Sequence, residues 1–340
     1  MKKLLGIALL LTSTLSYGLL ELPVKSLCVD GKNSQNRNGL IFFPNEIKPF
    51  SGAICTYYKS NQKKWEFDLI NGIPNGRIIG WHENGQKKST KYYTNGELDG
   101  EFKGWYEDGK IKIKGYLKNG SQDSVLTIWH KNGQKKKDTS YRNGVLHGKI
   151  IGWDENGNKL AEGSHRNGKL HGPTFGWYKN GQMKIDHNYK DGKLDGKAVF
   201  WFENGQKRSV TNFKNNERNG KETFFYEDDI KEIEVDYLNN KRHGKEIVWY
   251  KNGQKRAEGN YKEGKLDGKL IGWRDDGHKH SEGNYKNGKL NGILTTWYEN
   301  SQKRQETNYK DGRLDGKAIF WYEDGQERRS GNYKDGIFLD

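Results

Sequence analysis

Lysine and arginine are the residues of this chain whose spacing most invites a function. The pairs Lys87-Lys88, Lys135-Lys136, Lys207-Arg208, Lys255-Arg256 and Lys303-Arg304 return at multiples of 24 residues, with Lys279 in the same phase. Stacking such units would line the pairs into a basic stripe suited to an acidic protein, anionic lipid headgroups or acidic polysaccharide. The alternative is a solvated edge that lysine guards against edge-to-edge pairing. The full sequence holds 59 Lys+Arg against 44 Asp+Glu, a formal net charge of +15.

Catalytic groups do not stand out. No nucleophile elbow, phosphate loop or zinc-type cysteine pair occurs, and the glycines are spaced by turns rather than as G-x-G-x-x-G ahead of a helix. His243, His278 and His280 come nearest to a metal cluster. His147, His171 and His243, however, stand where other units carry Asp or Asn, which marks them as turn residues. The carboxylates are scattered through the repeats, so no acid–base pair can be singled out. The expectation is a non-enzyme with no catalytic, cofactor-binding or metal-binding residues. Cys28 and Cys55, the only cysteines, lie near the start. They form either a disulfide or two buried free thiols.

What must position these residues is a repeat. Trp81, Trp105, Trp129, Trp153, Trp177, Trp201, Trp249, Trp273, Trp297 and Trp321 share one phase of 24 residues, with Phe225 in the single gap and Tyr57 extending the series backward. Such a period signals a repeat architecture. It divides 52–340 into twelve tandem units beginning at Gly52. Each unit has two strand-like runs, as in Lys245–Tyr250 and Gln254–Tyr261, separated by Asn-Gly or Asp-Gly turns that favour hairpins. No window has the apolar period of a helix. The fold class expected is all-β, an elongated antiparallel hairpin ribbon on the order of 110 Å long before twist.

A three-residue loop at Lys251-Asn252-Gly253 would set Trp249 against Lys255 and Ile247 against Ala257. One face would then carry Ile247, Trp249, Ala257, Gly259 and Tyr261. Gly115, Gly163, Gly259, Gly283 and Gly331 would leave room for an aromatic ring on the backbone. Leu98, Leu146, Leu170, Leu194, Leu266, Leu290 and Leu314 would plug the seams between units. The aromatics read as packing rather than as a cofactor or sugar site. At 32% hydrophobic residues and a mean hydropathy of −1.09, a sheet with one modest apolar face or two half-covered faces fits better than a deep core. The least regular unit is 220–243, with Phe225 for Trp, Asp228-Asp229 for Asn-Gly, and Asn239-Asn240 for the closing turn. Lost packing and backbone strain make it the expected first region to open.

Residues 1–18 read as a secretory signal peptide: Lys2-Lys3, an apolar run Leu4–Leu11, then small residues at Ser16 and Gly18. Leu27 before Cys28 argues against lipoprotein processing, and no later run suits a membrane span. The expectation is a secreted or periplasmic protein, for which nucleic acid is a disfavoured partner. Without Lys2 and Lys3 the charge is 57 Lys+Arg against 44 Asp+Glu, a net of +13. Residues 19–51 are a non-repetitive lead-in, with a degenerate strand at Asn38–Pro44, suited to capping the first exposed edge.

The phrase G-K-x-x-x-W-Y-x-N-G-Q-K-x-x-x-x-x-Y-x-x-G-K-L-D, complete at Gly244–Asp267 and nearly so at Gly196–Asn219, resembles the MORN-repeat variant of the YwqK antitoxin family. The resemblance runs from about residue 49 to 340. It implies hairpins stacked into a curved sheet, a binding rather than catalytic role, and a protein toxin as partner. A signal peptide departs from an antitoxin acting in the cytoplasm. The reading is a non-catalytic exported scaffold that binds another macromolecule. The rival is an envelope- or membrane-surface binder using the basic stripe.

Overall fold

A computed structural model describes residues 28–339. The expected signal peptide lies outside the described residues. From Gly52 onward the chain is an antiparallel meander within a 29-stranded sheet, each strand pairing with its neighbours in sequence. A representative unit runs through the strand Lys241–Trp249, a loop, the strand Lys255–Lys262 and a tight turn into Lys265–Trp273.

The two turns differ, and their sequences say why. In the loop, the Gly253 N–H donates to the Tyr250 carbonyl at 2.9 Å and the Tyr250 N–H to the Gln254 carbonyl at 2.8 Å. Only Gly253 is left-handed there, at φ 82°, as a turn followed by a glycine bulge requires. The closing turn needs two left-handed residues: Glu263 has φ 49° and Gly264 has φ 84°. This mirror-image turn matches the right-handed twist of the strands, and Asn95-Gly96, Asn143-Gly144 and Asn287-Gly288 repeat it.

The register differs from the sequence-based expectation. Trp249 does oppose Lys255, but Val248 rather than Ile247 opposes Ala257, and Ile247 opposes Glu258. Arg256 is the extra residue of a bulge, and one extra residue moves the following side chains to the other face. One face of the sheet therefore carries Ile247, Trp249, Lys255 and Glu258, and the other carries Val248, Ala257, Gly259 and Tyr261. Both faces are half-covered rather than one being apolar and one wet.

Along the second face, the row in phase with Gly259 is the best buried in the ribbon: Thr139, His187, Thr211, Val235 and Thr307 are all under a tenth exposed. Small residues there leave room for the flanking row. A Cβ on Gly259 would meet Leu270 at 3.0 Å and Leu266 at 3.2 Å. On Gly115 and Gly331 it would strike Phe102 and Phe338, so a ring fills the space at those two. Leucines fill it at Gly259 and Gly283, and Thr174 lies nearest at Gly163.

The lead-in caps the first edge. Val29–Asp30 adds a short parallel strand to Gly52–Tyr57, and Cys28 is joined to Cys55 by a disulfide with Cα atoms 5.5 Å apart. Leu40–Phe42 pairs with Gln35–Arg37 in a separate hairpin. This hairpin docks on the first closing turn through the Ile41 N–H to the Gly72 carbonyl, 3.1 Å.

The unit 220–243 keeps the regular geometry despite its sequence. Asp229 takes φ 65° in place of glycine, and Asn239 and Asn240 take 49° and 65°. Asn240 also does what glycine cannot. Its N–H donates to the Arg218 carbonyl at 3.0 Å while its Oδ1 accepts the Arg218 N–H at 2.9 Å. Asn216 makes the same pair of bonds with Leu194. These ties join the region to the preceding unit at the turns where glycine is missing.

Candidate binding surface

Adjacent units are joined by side chains as well as by strand pairing. In most units the residue after the tryptophan position reaches the carbonyl of the tryptophan one unit ahead: Tyr58 to Trp81 at 2.9 Å, Tyr106 to Trp129 at 2.7 Å, Tyr178 to Trp201 at 2.8 Å, Tyr250 to Trp273 at 2.9 Å. His82, His130 and Arg274 occupy the same row and make the same contact, to Trp105, Trp153 and Trp297. Asn252 works in both directions. Its Oδ1 accepts the Gln254 N–H at 3.0 Å, and its Nδ2 donates to the Asp275 carbonyl of the next loop at 2.7 Å. On the other margin, Asp267 accepts the Asn287 N–H at 3.2 Å. His171 Nδ1 accepts the Asp191 N–H at 3.3 Å in the equivalent place, although His147, His171 and His243 all lie in strands rather than in the turns expected for them.

These ties fix the rows of side chains, and they divide the basic pairs. The first lysine of a pair lies on the tryptophan face. Lys255 is 5.8 Å from the Trp273 ring and 2.7 Å from Glu258, which Lys245 also reaches at 2.5 Å. Lys135 and Lys303 repeat the arrangement over Trp153 and Trp321, paired with Asp138 and Glu306. Lys87 and Lys207 do not, because Thr90 and Val210 stand where the carboxylate would be. The second cation belongs to the loop: Arg208 lies over Phe202, Arg256 over Tyr250 and Arg304 over Tyr298, at 5.8–6.0 Å. Lys88 and Lys136 are exposed in the same position. Lys135, Lys255 and Lys303 are thus part of a structural ladder, and the available basic row is the second cation, interrupted by Leu160, Glu232 and His280.

The ladder perturbs its carboxylates. Hydrogen bonds from Lys245 and Lys255 hold the Glu258 carboxyl below the usual range, Lys149 and Lys159 do so for Glu162, and Lys269 and Lys279 for Glu282. On the opposite face, burial pushes the imidazoles of His165 and His187 down, so both are neutral near pH 7.

Two features of that opposite face escaped the sequence reading. Arg218 and Arg242 stand in the leucine row, and Glu222 and Glu246 stand in the apolar row beside it. They pair as Arg218–Glu222 at 3.2 Å and Arg242–Glu246 at 3.0 Å. The Thr211 hydroxyl donates to Glu222 at 2.8 Å, and Tyr261 donates to Glu246 at 3.2 Å. Aligning the units by column would have shown leucine exchanged for arginine and, four residues on, an apolar residue for glutamate, twice in succession. The second feature is a shallow cavity near the loops, lined by Arg274, His280, Thr296 and Arg304.

Among the described residues, Cys28, Cys55 and Glu66 are the group close enough to share an ion, and the disulfide consumes both thiolates. His243, His278 and His280 are not brought together as a ligand set. The tryptophans and Phe225 mark the ends of the long strands, and the carbonyls of all the tryptophans in this series but Trp177 receive the inter-unit bonds.

Three solved structures of the TcdB2-TccC3 assembly, one with Cdc42 and one without the hypervariable C-terminal region, align with 86% of this chain at 10% identity and TM-scores of 0.17–0.18. The chain spans about a fifth of their length, 18–19%. No curated protein matches it. The family model of the MORN repeat variant matches residues 98–119, 170–191, 194–215, 242–263, 290–311 and 314–335. Each match runs from the leucine-row position through the loop to the first residue of the next closing turn, so these six segments are similar to the MORN repeat variant over one whole hairpin each.

Proposed function

We propose that this chain is a non-catalytic, exported repeat scaffold that binds another protein along its extended sheet. The observation that carries the reading is the set of inter-unit bonds typified by Tyr250 to Trp273. They hold like side chains in register from unit to unit, which makes a long pre-ordered surface and keeps the ordering cost of binding low. A protein toxin is the partner that the resemblance to YwqK antitoxins implies. Export is supported by the Cys28–Cys55 disulfide, which persists in oxidising compartments. The test is a pull-down with residues 19–340 against secreted toxins encoded beside the gene, followed by removal of units from one end. Stepwise loss of affinity with each unit is the expected result. Full affinity in a fragment of two units would reject lengthwise binding.

The second cations favour one further reading, a surface that meets anionic lipid or polysaccharide. Arg208, Arg256 and Arg304 lie over aromatic rings and form no ion pair among the described residues. Salt-sensitive sedimentation with anionic liposomes, abolished by neutralising these three, would support it.

A further inference from the structure

We infer that the cavity between the units of Trp273 and Trp297 is a binding site for a single phosphate or sulfate group. It has a volume of about 470 Å³ and is lined by Arg274, His280, Thr296, Trp297, Arg304 and Gln305. Every polar side chain in that set can donate a hydrogen bond, and none is a carboxylate. Arg274 and Arg304 make no ion pair among the described residues. Both therefore carry full, unneutralised charge on one small surface. An oxyanion is the ligand that two guanidinium groups, a hydroxyl and a side-chain amide recognise together.

The site is built rather than incidental. Arg274 is the only arginine or lysine in a row that elsewhere holds Tyr, His, Asp or Phe. Its guanidinium is fixed by donation to the Trp297 carbonyl at 2.8 Å and to the Lys279 carbonyl at 3.4 Å. Three further N–H donors of the fork are left for a ligand. Gly272 supplies the space for the imidazole beside it: a Cβ there would come within 2.9 Å of His280 Nε2. The preceding unit has the larger Val248 in that position, and in the following unit Thr296 lines the cavity itself. The comparable cavity at His82 and Tyr106 is lined by Glu107 and Asp108 as well as Lys112 and Lys131, so its charge is balanced and it is no match for an anion.

The inference is independent of the protein partner proposed above and shares only Arg304 with the lipid reading, and its test uses the full mature chain. Calorimetric titrations with sodium phosphate, sodium sulfate and glycerol 3-phosphate are compared with sodium chloride at equal ionic strength. Binding of the free ions and the monoester alike would show that the oxyanion alone is read. Binding of the monoester only would show that the group is taken from a larger molecule. Arg274→Tyr restores the side chain that Tyr250 and Tyr298 have in this row, including a hydroxyl for the Trp297 carbonyl. It should keep the wild-type melting midpoint while weakening phosphate binding roughly tenfold or more, the worth of a charged hydrogen bond. Arg304→Gln should weaken it similarly. Heat no different from chloride, or unaltered affinity in both variants, would overturn the proposal.

Discussion

The Tyr250 hydroxyl donates to the Trp273 carbonyl at 2.9 Å, across 23 residues, and pins one loop to the end of the strand one unit ahead. The bond recurs because a side chain that can reach the carbonyl recurs in this row, and it lapses at Phe202 and Asp154. Phe202 has no hydroxyl, and Asp154 turns inward to accept the N–H groups of Asn156 and Asn158 at 2.9 Å. In a repeat array such terms add locally. Tyr250→Phe should cost about 1 kcal/mol, the net worth of one hydrogen bond, and Phe202→Tyr should contribute a similar amount. Urea unfolding of both variants measures this. No change in either would show that strand pairing alone holds the units together.

Much of this fold was legible in the sequence because its determinants are local. Asn-Gly fixes a hairpin within four residues, and the tryptophan period fixes how often it returns. The register was not legible. It turns on one bulged residue, Arg256, which the loop dipeptide does not reveal. The extra bonds of the irregular unit were hidden for a similar reason. Asn240 reads as a poor glycine, yet its side chain gains the Arg218 N–H, a partner that only the stacked structure brings near. The basic pairs show the same limit. Lys255 and Arg256 are adjacent in sequence, but the bulge sends one to Trp273 and Glu258 and the other to Tyr250.

The lysine–glutamate ladder gives the ribbon an acid limit. Lys245 and Lys255 lower the proton affinity of Glu258 in the folded state, and Lys269 and Lys279 do the same for Glu282. The unfolded chain therefore takes up protons first. The stabilisation is complete at neutral pH and is lost as pH falls from the unperturbed glutamate value, ~4.3, through the lower folded values. Glu258→Gln and Glu282→Gln together should lower stability at neutral pH and flatten this acid limb. High salt should shrink the difference, because the pairs are partly solvated. Parallel pH profiles for variant and wild type would remove the ladder as the cause.

The paired exchange at Arg218 and Glu222 is the sharpest departure from the repeat, and it can be taken apart. The Glu222 side chain is 7% exposed, while Arg218 is 37% exposed and lies 4.2 Å from the Tyr237 ring. Arg218→Leu would leave a buried carboxylate with only the Thr211 hydroxyl. The expected cost is about 2–4 kcal/mol, below that of a fully buried pair because the guanidinium reaches water. Glu222→Leu costs less, since the arginine can turn to solvent. The double variant restores the leucine and apolar rows of the neighbouring units, and it should be within about 1 kcal/mol of wild type or more stable. A double-mutant cycle read by urea unfolding separates the pair from its surroundings. If the double variant is as unstable as Arg218→Leu, the pair is required by its packing with Tyr237 and Thr211. If it is stable but binds the partner protein less well, the charges are there for recognition, and this stretch of the ribbon is where the partner sits.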